Sequence, residues 1–275
     1  MSDDAQTHAV PFRGEPRAFT RYVAIGDSFT EGMTDPDPER LTYVGWADRL
    51  AAHLARLAGE DNRSFGYANL AVRGRLLGDV VGPQVDDALA LEPDLVSIVG
   101  GGNDILRPRA DIDALASRLE DAVARLRAGG ADVLLATPAD PRDAPLVRAT
   151  RGRAATYAAH IWSIARRHDA YVIDLWGMTA LRDWRMWAPD RIHLNSEGHR
   201  RVALNAFTAL GFMAPDVGWA DPLPTAAPIS RGDAARANAQ WAREYVGPWV
   251  QRRLRGQSSG DNLSAKRPTV APLED

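Results

Sequence analysis

The chain has 275 residues, no cysteine and a formal net charge of −3 at pH 7, from 33 basic and 36 acidic residues. The absence of cysteine excludes disulfide bonds and thiolate metal ligands. The balanced charge, with no basic block, argues against nucleic acid as the main ligand. Apolar residues make up 45% of the sequence, enough for one large α/β domain with a sizeable core.

The N-terminal residues 1–20 are polar, with scattered proline and glycine, and are predicted to form a flexible lead-in. The acidic start, Met1-Ser2-Asp3-Asp4, and the lack of a following apolar segment are unlike a signal peptide. No stretch approaches the roughly 18 apolar residues of a membrane span. We therefore expect a cytoplasmic protein without a membrane span.

The first apolar run, residues 22–25, stops at Gly26-Asp27-Ser28, with a second glycine at Gly32. A short β-branched run that breaks into these residues predicts a strand ending in a tight loop, where the Ser28 hydroxyl is exposed. Apolar residues then recur at helical spacing over 46–58, before Gly59, and predict a helix.

The same strand–loop–helix unit recurs along the chain. Further strands are predicted at 67–72, 94–99, 133–136 and 171–175, and further helices at 76–91, 111–128, 145–168 and 197–210, the last capped by Ser196. Strands that alternate with helices predict an α/β domain over residues 21–212, with a three-layer, doubly wound parallel sheet of about five strands. Right-handed crossovers make this the simplest topology.

Beyond residue 212 the composition changes. Residues 213–255 are rich in proline and alanine and then form a predicted amphipathic helix over 230–254, which Pro248 should kink or split. We expect this extension to pack on the main domain because its apolar face cannot remain in water. Residues 256–275 are predicted to be a weakly structured tail.

Polar or glycine residues follow four of the predicted strands: Ser28, Gly74, Asn103 and His193. The carboxyl ends of parallel strands share one edge of a sheet, so these residues should lie together. There Ser28 would attack a carbonyl carbon, His193 would act as its base, and Asp190 would orient the imidazole. The N–H groups of Ser28 and Gly74 and the amide of Asn103 would face the oxyanion.

Four blocks resemble, in the same order, those of the SGNH hydrolases, also called the GDSL esterase/lipase family: Gly26-Asp27-Ser28, Gly74, Gly101-Gly102-Asn103-Asp104 and Asp190-Arg191-Ile192-His193. The resemblance covers roughly residues 20–210. It implies the flavodoxin-like SGNH hydrolase fold, with Ser28, Gly74, Asn103 and His193 as the four named residues and Asp190 as the third triad member. Phe29 replaces the leucine of the GDSL name.

Other interpretations exist for individual residues. Each block alone is compatible with an ordinary turn, a helix cap or a loop histidine, but the four together would be four coincidences. A two-metal phosphoesterase that uses Asp27 and Asp104 is the second enzyme class, but the histidines it requires are absent at Phe29 and Asp104. A nucleophile elbow of the α/β-hydrolase type needs glycine where Thr30 stands.

A metal site built from His193, Glu197 and His199 is not favoured, because residues 197 and 199 point to different faces of the predicted helix. We expect no metal and no organic cofactor, and a structural role for His199. The candidate residues for a substrate pocket are Asp27, Trp176, Trp184 and Trp187, although core or lid packing explains the tryptophans as well.

The sequence thus predicts a serine esterase that hydrolyses small carboxylic esters through an acyl-enzyme, with a small-molecule ester as its partner. An acyltransferase, a thioesterase or a carbohydrate deacetylase would use the same triad, and these alternatives stay open. So does a non-catalytic ligand-binding or scaffolding protein that engages a partner with its C-terminal helix. The oligomeric state is not determined by the sequence.

Overall fold

The computed structural model describes residues 16–39, 42–144, 147–226, 230–246 and 259–273. One sheet contains six strands: β1 (Arg21–Gly26), β2 (Gly66–Asn69), β3 (Leu95–Val99), β4 (Asp132–Ala136), β5 (Tyr171–Ile173) and β6 (Arg267–Ala271). Their order across the sheet is β5-β4-β3-β1-β2-β6. The first five strands are parallel, and β6 is antiparallel to β2.

The α-helices are α1 (Ser28–Glu31), α2 (Trp46–Glu60), α3 (Leu77–Asp79), α4 (Val85–Ala90), α5 (Gly102–Ile105), α6 (Ile112–Ala128), α7 (Arg151–His168), α8 (Ser196–Ala209) and α9 (Arg231–Trp241). Two π-helical turns lie at Val80–Gln84 and Ala242–Val246. Short 3₁₀ turns lie at Pro141–Asp143, Arg148–Thr150, Thr179–Arg182, Trp184–Met186 and Val217–Ala220.

Alternating residues of the sheet face two separate cores, which makes the domain three-layered. On one face, Val23 and Ile25 of β1 pack with α3, α4, α6 and α7. On the other face, Tyr22 and Ala24 pack with α2 and α8. Both faces of β1 are fully buried, as expected of a central strand in a parallel sheet. The predicted doubly wound α/β class is therefore confirmed.

The prediction differs from the structure at the sheet edge. The tail over 256–275 was expected to be weakly structured, but Arg267–Ala271 pairs with β2, with Tyr67 opposite Ala271 and Asn69 opposite Arg267. The sheet therefore has six strands instead of about five. A five-residue strand that contains Pro268 lacks a clear alternating pattern, and proline is tolerated there because β6 lies at an edge.

Several helix boundaries also differ from the predictions. The predicted helix at 76–91 is divided into α3, a π turn and α4, and Pro83 lies inside the π turn, where it removes a backbone donor. The helix predicted over 145–168 begins at Arg151. Asn195, not Ser196, caps α8, since the Asn195 side chain accepts from the Gly198 N–H at 3.0 Å. Of the helix predicted over 230–254, residues 247–254 lie outside the described part.

Lys266, the sole lysine of the sequence, anchors the C-terminal segment to the rest of the domain. Its Nζ donates to the carbonyl oxygens of Glu31 (2.6 Å) and Tyr43 (2.9 Å) and to Asp48 Oδ2 (2.6 Å). Only 11% of the Lys266 side chain is exposed. A compact ammonium with three donors fits these three acceptors, whereas a planar guanidinium would not. Lys266 thus joins the β6 segment to the end of α1 and to α2.

We expect Lys266→Met to lower the free energy of unfolding by about 3 kcal/mol, because it leaves the largely buried Asp48 carboxylate, 15% exposed, without its cation. Urea denaturation followed by circular dichroism measures the change. Arg56→Met is the matched control, since Arg56 forms an exposed ion pair with Glu60 on α2, and its loss should cost less than 1 kcal/mol. Equal losses for the two variants would contradict the anchoring role.

Among the described residues, no helix combines the length and the apolar character needed to cross a membrane.

Candidate active site

The turn after β1 presents Ser28 at the carboxyl edge of the sheet. Gly26 ends β1, and a Cβ there would lie 2.5 Å from the Val99 carbonyl oxygen of β3, so only glycine fits this position. The Asp27 side chain then caps α1 by accepting from the Phe29 N–H at 3.1 Å. Ser28 is the first residue of α1, so its side chain projects from the helix N-terminus.

Ser28, His193 and Asp190 form one hydrogen-bonded chain. His193 Nε2 lies 3.0 Å from Ser28 Oγ, and His193 Nδ1 lies 2.6 Å from Asp190 Oδ2. An ionised carboxylate only accepts hydrogen bonds, so the Nδ1 hydrogen belongs to the bond with Asp190. This tautomer leaves the Nε2 lone pair to accept the Ser28 hydroxyl hydrogen, the arrangement that a general base requires.

The loop that carries Asp190 and His193 is fixed by its own backbone. Asp190 Oδ1 accepts from the N–H groups of Ile192 (2.9 Å) and His193 (3.0 Å). Ala188 N–H donates to the His193 carbonyl at 2.8 Å, which closes the loop. Arg191, between Asp190 and His193 in the chain, has its backbone in the left-handed region, with φ 56°. The spacing of three residues therefore lets one carboxylate hold both the imidazole ring and its backbone.

The electrostatics of Asp190 favour its charged form. Partial burial opposes ionisation, but the hydrogen bond and the charge of His193 outweigh it and lower the pKa of Asp190. A carboxylate that stays ionised at neutral pH stabilises the imidazolium that forms when His193 takes a proton.

The candidate oxyanion donors are the backbone N–H groups of Ser28 and Gly74 and the Asn103 amide. In the described part of the chain, the backbone N–H groups of Ser28 and Gly74 have no protein acceptor. Gly74 adopts φ 75°, a conformation that favours glycine. The Asn103 amide differs from the expectation, because its Nδ2 donates to the Arg75 carbonyl (2.9 Å) and to Asp27 Oδ2 (3.3 Å).

Asp27 is a buried carboxyl beside this site. Desolvation raises its pKa to about 6, against smaller opposing effects from the Phe29 N–H and from His193. Burial therefore keeps this carboxyl protonated up to a higher pH than in water. The sequence named Asp27 as a pocket residue, but its side chain is only 7% exposed and binds Phe29 and Asn103.

We expect the stability of the protein to fall as the pH rises through the pKa of Asp27. A carboxyl whose pKa is raised on folding contributes most below its unfolded pKa and loses this contribution at higher pH. Relative to Asp27→Asn, the wild type should lose about 2 kcal/mol of unfolding free energy between pH 4 and pH 7. Urea denaturation at both pH values measures this. Asp87→Asn, on the exposed side of α4, is the control, and a pH-independent difference for Asp27 would contradict the prediction.

The loop that carries Arg73 and Gly74 is connected to α1 by an ion pair that the sequence analysis did not identify. Glu31 Oε2 accepts from the Arg73 backbone N–H at 2.8 Å, and the Arg73 guanidinium pairs with the same carboxylate. The Arg73 guanidinium also lies 5.0 Å above the Tyr43 ring. Since Arg73 precedes Gly74, the pair fixes the distance between α1 and the Gly74 N–H.

His199 and Glu197 do not form a metal site with His193. His199 is buried, and its Nδ1 accepts from the Trp46 N–H at 3.2 Å. Burial, with the nearby Arg49 charge, lowers the pKa of His199 to about 3, so it is a neutral core residue. Glu197 pairs with Arg200 and Arg201. The described residues contain no group of three or more His, Asp or Glu side chains arranged to hold a metal ion.

The three candidate tryptophans have different surroundings. Trp176 lies under the Arg151 guanidinium, 5.5 Å from it, and Trp187 donates to the Leu181 carbonyl at 2.7 Å. Trp184 is 37% exposed, and the guanidinium of Arg191 lies 5.5 Å from its ring. Trp184 therefore contacts Arg191 within the loop that carries Asp190 and His193, and Trp187 pairs with Leu194 at the base of that loop.

Comparison with known proteins identifies the same family that the sequence motifs resemble. A model of the GDSL-like Lipase/Acylhydrolase family matches residues 24–201. A search of curated proteins found no match.

Solved structures share the fold. LAE5, an alpha/beta hydrolase enzyme from the metagenome of Lake Arreo, Spain, is 24% identical with a TM-score of 0.57, over 70% of this chain and 95% of that one. A protein of Parabacteroides merdae described as a GDSL-like lipase is 16% identical with a TM-score of 0.60, over 72% and 99%. Axe2, an acetylxylan esterase from Geobacillus stearothermophilus, is 20% identical with a TM-score of 0.58, over 73% and 100%.

Proposed function

We propose, from the premise that the chain belongs to the GDSL-like Lipase/Acylhydrolase family and is a carboxylic ester hydrolase, that it cleaves small esters with a Ser28–His193–Asp190 triad. The observation that carries this proposal is the continuous chain of hydrogen bonds, 3.0 Å from Ser28 to His193 and 2.6 Å from His193 to Asp190. A serine hydroxyl needs such a base to be nucleophilic at neutral pH.

In the first half of the reaction, Ser28 Oγ attacks the ester carbonyl carbon while His193 Nε2 takes the hydroxyl proton. The carbonyl oxygen becomes an oxyanion, which the N–H groups of Ser28 and Gly74 stabilise together with the Asn103 amide. The tetrahedral intermediate then expels the alcohol, which receives the proton from His193. In the second half, His193 activates a water that hydrolyses the acyl-enzyme and regenerates Ser28.

The Asn103 amide requires one adjustment in this mechanism. Its two hydrogens lie toward Asp27 and the Arg75 carbonyl, and the longer bond, 3.3 Å to Asp27, is the weaker of the two. A developing negative charge on the substrate competes with Asp27 for that hydrogen.

We expect Asn103→Ala to lower kcat for p-nitrophenyl acetate about 100- to 1000-fold, the usual effect of losing one oxyanion donor. KM should change little, because the missing bond strengthens only in the transition state. Steady-state kinetics measure both constants. Gln240→Ala, which removes an exposed side-chain amide on α9 whose one described side-chain partner is Glu244, is the control for amide loss. A lower kcat/KM that comes from KM alone would contradict the assignment of Asn103.

Labelling of Ser28 tests whether the site is catalytic. A fluorophosphonate should modify wild-type protein at one site per chain, and mass spectrometry should locate the adduct on Ser28, because only an activated serine reacts readily. Ser28→Ala should remain unlabelled, and the reaction should be insensitive to EDTA. An unreactive Ser28 in a folded protein would instead favour the binding or scaffolding alternative.

The residues around the triad determine which acyl and alcohol groups of an ester substrate are accepted. An acyltransferase, a thioesterase and a carbohydrate deacetylase share the tetrahedral chemistry described above. Trp184, at the edge of the triad loop, is the one candidate tryptophan that we place at the substrate, where its ring offers an apolar wall. A panel of p-nitrophenyl esters, thioesters and acetylated sugars ranks these substrates by kcat/KM.

A further inference from the structure

A cleft of about 700 Å³ lies beside Asn103, between α5 and the first turns of α6. Asp104, the residue after Asn103, belongs to its wall. The Asn103 amide contacts Asp27 at 3.3 Å, and Asp27 precedes Ser28 in the chain. Asp104, Asn103 and Asp27 thus link the wall of the cleft to the turn that carries Ser28.

Three arginines line this cleft: Arg107, Arg109 and Arg118. Among the described residues, no carboxylate lies within 4.0 Å of their guanidinium nitrogens. The two carboxylates of the wall are held by backbone groups, Asp104 by the Leu77 N–H at 2.9 Å and Asp111 by the Ala114 N–H at 3.0 Å.

The arginines at the other end of α6 are paired. Arg125 contacts Asp86, and Arg127 contacts Asp132. Arg118 has no such ion pair among the described residues, although its charge and that of Arg107 act on Asp104, so its hydrogen-bond donors are available for a ligand in the cleft. Guanidinium groups bind carboxylate and phosphate with two parallel hydrogen bonds, so an anionic group is the chemical match.

We infer that the cleft binds a carboxylate or phosphate group of the ester substrate, held by Arg107, Arg109 and Arg118. The inference rests on the proposed function, since it places the anion on a substrate of the Ser28 site. Leu115 and Pro108 in the same wall offer apolar surface to the carbon chain that joins the anion to the ester. The preferred substrates are thus esters with a second, negatively charged end.

Matched substrates test this charge preference. On the acyl side, mono-p-nitrophenyl glutarate is compared with neutral p-nitrophenyl pentanoate, and on the alcohol side, 4-acetoxybenzoate with its methyl ester. We expect the wild type to prefer the anionic member of at least one pair about tenfold or more in kcat/KM. The triple variant Arg107→Gln, Arg109→Gln, Arg118→Gln should lose this preference and keep its activity on the neutral members. Arg125→Gln, on the same helix but paired with Asp86, should keep both.

Equal kcat/KM within both pairs, or a preference that the triple variant retains, would overturn the inference. Saturation-transfer NMR with glutarate gives a second measurement that needs no turnover. A glutarate signal that the triple variant loses supports the anion site even if Ser28→Ala leaves esterase activity intact. That result would contradict Ser28 as the nucleophile but support the anion site, so the experiment distinguishes failure of the proposed function from failure of the inferred anion site.

A second observation, independent of the cleft, concerns α9. Trp241 Nε1 donates to the Asp190 carbonyl oxygen at 3.0 Å. Arg191, the next residue of the triad loop, donates to Asn238 Oδ1 at 2.7 Å, and its guanidinium lies 4.9 Å from the Trp241 ring and 5.5 Å from the Trp184 ring. One helix from the C-terminal extension therefore contacts two successive residues of the triad loop.

These contacts lie at a residue of the triad loop whose backbone conformation is unfavourable. Arg191 has φ 56°, a conformation that is disfavoured for a residue with a side chain. Stacking of its guanidinium between two indole rings holds that conformation, because each cation–π contact is lost if the loop relaxes. The Trp241 N–H fixes the carbonyl of Asp190, whose carboxylate orients His193.

The geometry points to Trp241 as a positioning residue, which acts on His193 through Asp190. This second inference also rests on the proposed triad. It gives the C-terminal extension a role in catalysis, although α9 itself is mostly exposed.

Trp241→Phe tests this role, because it keeps an aromatic ring and removes the N–H. We expect kcat to fall about three- to tenfold with KM unchanged, and the rate of fluorophosphonate labelling at Ser28 to fall by the same factor. Arg191→Met should give a similar loss, and Arg191→Lys should restore part of it. Trp162→Phe, an exposed tryptophan on α7, is the control. Unchanged kcat and labelling in Trp241→Phe, or a loss that follows a lower unfolding temperature, would refute the positioning role.

Discussion

Ser28→Ala is expected to lower kcat for p-nitrophenyl acetate by about 10⁴-fold or more, while the fold stays intact. The alanine lacks the oxygen that forms the acyl-enzyme, so only the oxyanion donors and substrate binding remain, and these give a small residual rate. Ser28 is only partly buried, and its hydroxyl has one described side-chain partner, His193. Its loss should therefore change the unfolding temperature very little.

Steady-state kinetics with short-chain p-nitrophenyl esters measure this effect, with EDTA present in a parallel series. Ser163→Ala provides a matched control, because Ser163 is an exposed serine on α7 whose hydroxyl bonds only to the Ala159 carbonyl. The control should retain the full kcat. Undiminished activity of Ser28→Ala, insensitive to EDTA, would rule out Ser28 as the nucleophile.

The parallel part of the fold and the meeting of the candidate site residues follow from local sequence patterns. β1 and β3 are nearly continuous apolar runs, interrupted in β3 only by Ser97 and followed by glycine, and such runs are typical of strands buried on both faces. Once the strands are parallel, their carboxyl ends share an edge, so Ser28, Asn103 and His193 meet there although they are far apart in sequence. The prediction that these residues meet needed only the succession of strands and helices along the chain, which the pattern of apolar residues provides.

The C-terminal contributions could not be predicted in this way. β6 is short and its pairing with β2 depends on a partner about 200 residues away, for which no local pattern exists. The anchoring of Lys266 depends on two carbonyl oxygens, and backbone acceptors leave no trace in a sequence. The only sequence feature that could have drawn attention to Lys266 is that it is the sole lysine in a chain rich in arginine.

Electrostatic detail was also inaccessible to the sequence. The raised pKa of Asp27 results from its burial between Phe29 and Asn103, and burial of a loop residue is a property of the tertiary packing. The same holds for Trp241, which lies within the amphipathic helix predicted over 230–254. In the structure its ring meets Arg191 and its N–H meets Asp190. Tertiary contacts thus decided both its partners and its candidate role.

Lys266, in the C-terminal tail, and Trp241, in the C-terminal extension, contact the two segments that carry the proposed triad. Lys266 bonds the last carbonyl of α1, the helix that begins with Ser28. Trp241 bonds Asp190, which orients His193. The nucleophile and its base come from segments 165 residues apart, so their 3.0 Å separation depends on how the two loops are held. The tail contacts the segment of Ser28 and the extension contacts the segment of His193.

His193→Ala is the second change with a large expected effect, a fall in kcat of about 10⁴- to 10⁶-fold. Without the imidazole, no group of the site accepts the Ser28 proton or returns it to the leaving alcohol. Fluorophosphonate labelling of Ser28 should slow as well, since that reaction needs the same base. Stopped-flow and steady-state assays measure the two rates, and His160→Ala, a change at the surface of α7, is the control for loss of a histidine.

A double variant makes the assignment of roles sharper. Asp190→Asn alone should lower kcat about 10⁴-fold, because an amide holds the wrong tautomer of His193. If Asp190 acts only through His193, adding Asp190→Asn to His193→Ala should cause no further loss, since residues that act as a unit are not additive. A further large loss in the double variant would mean that Asp190 has a separate role. Retained acylation by His193→Ala at neutral pH would contradict His193 as the base.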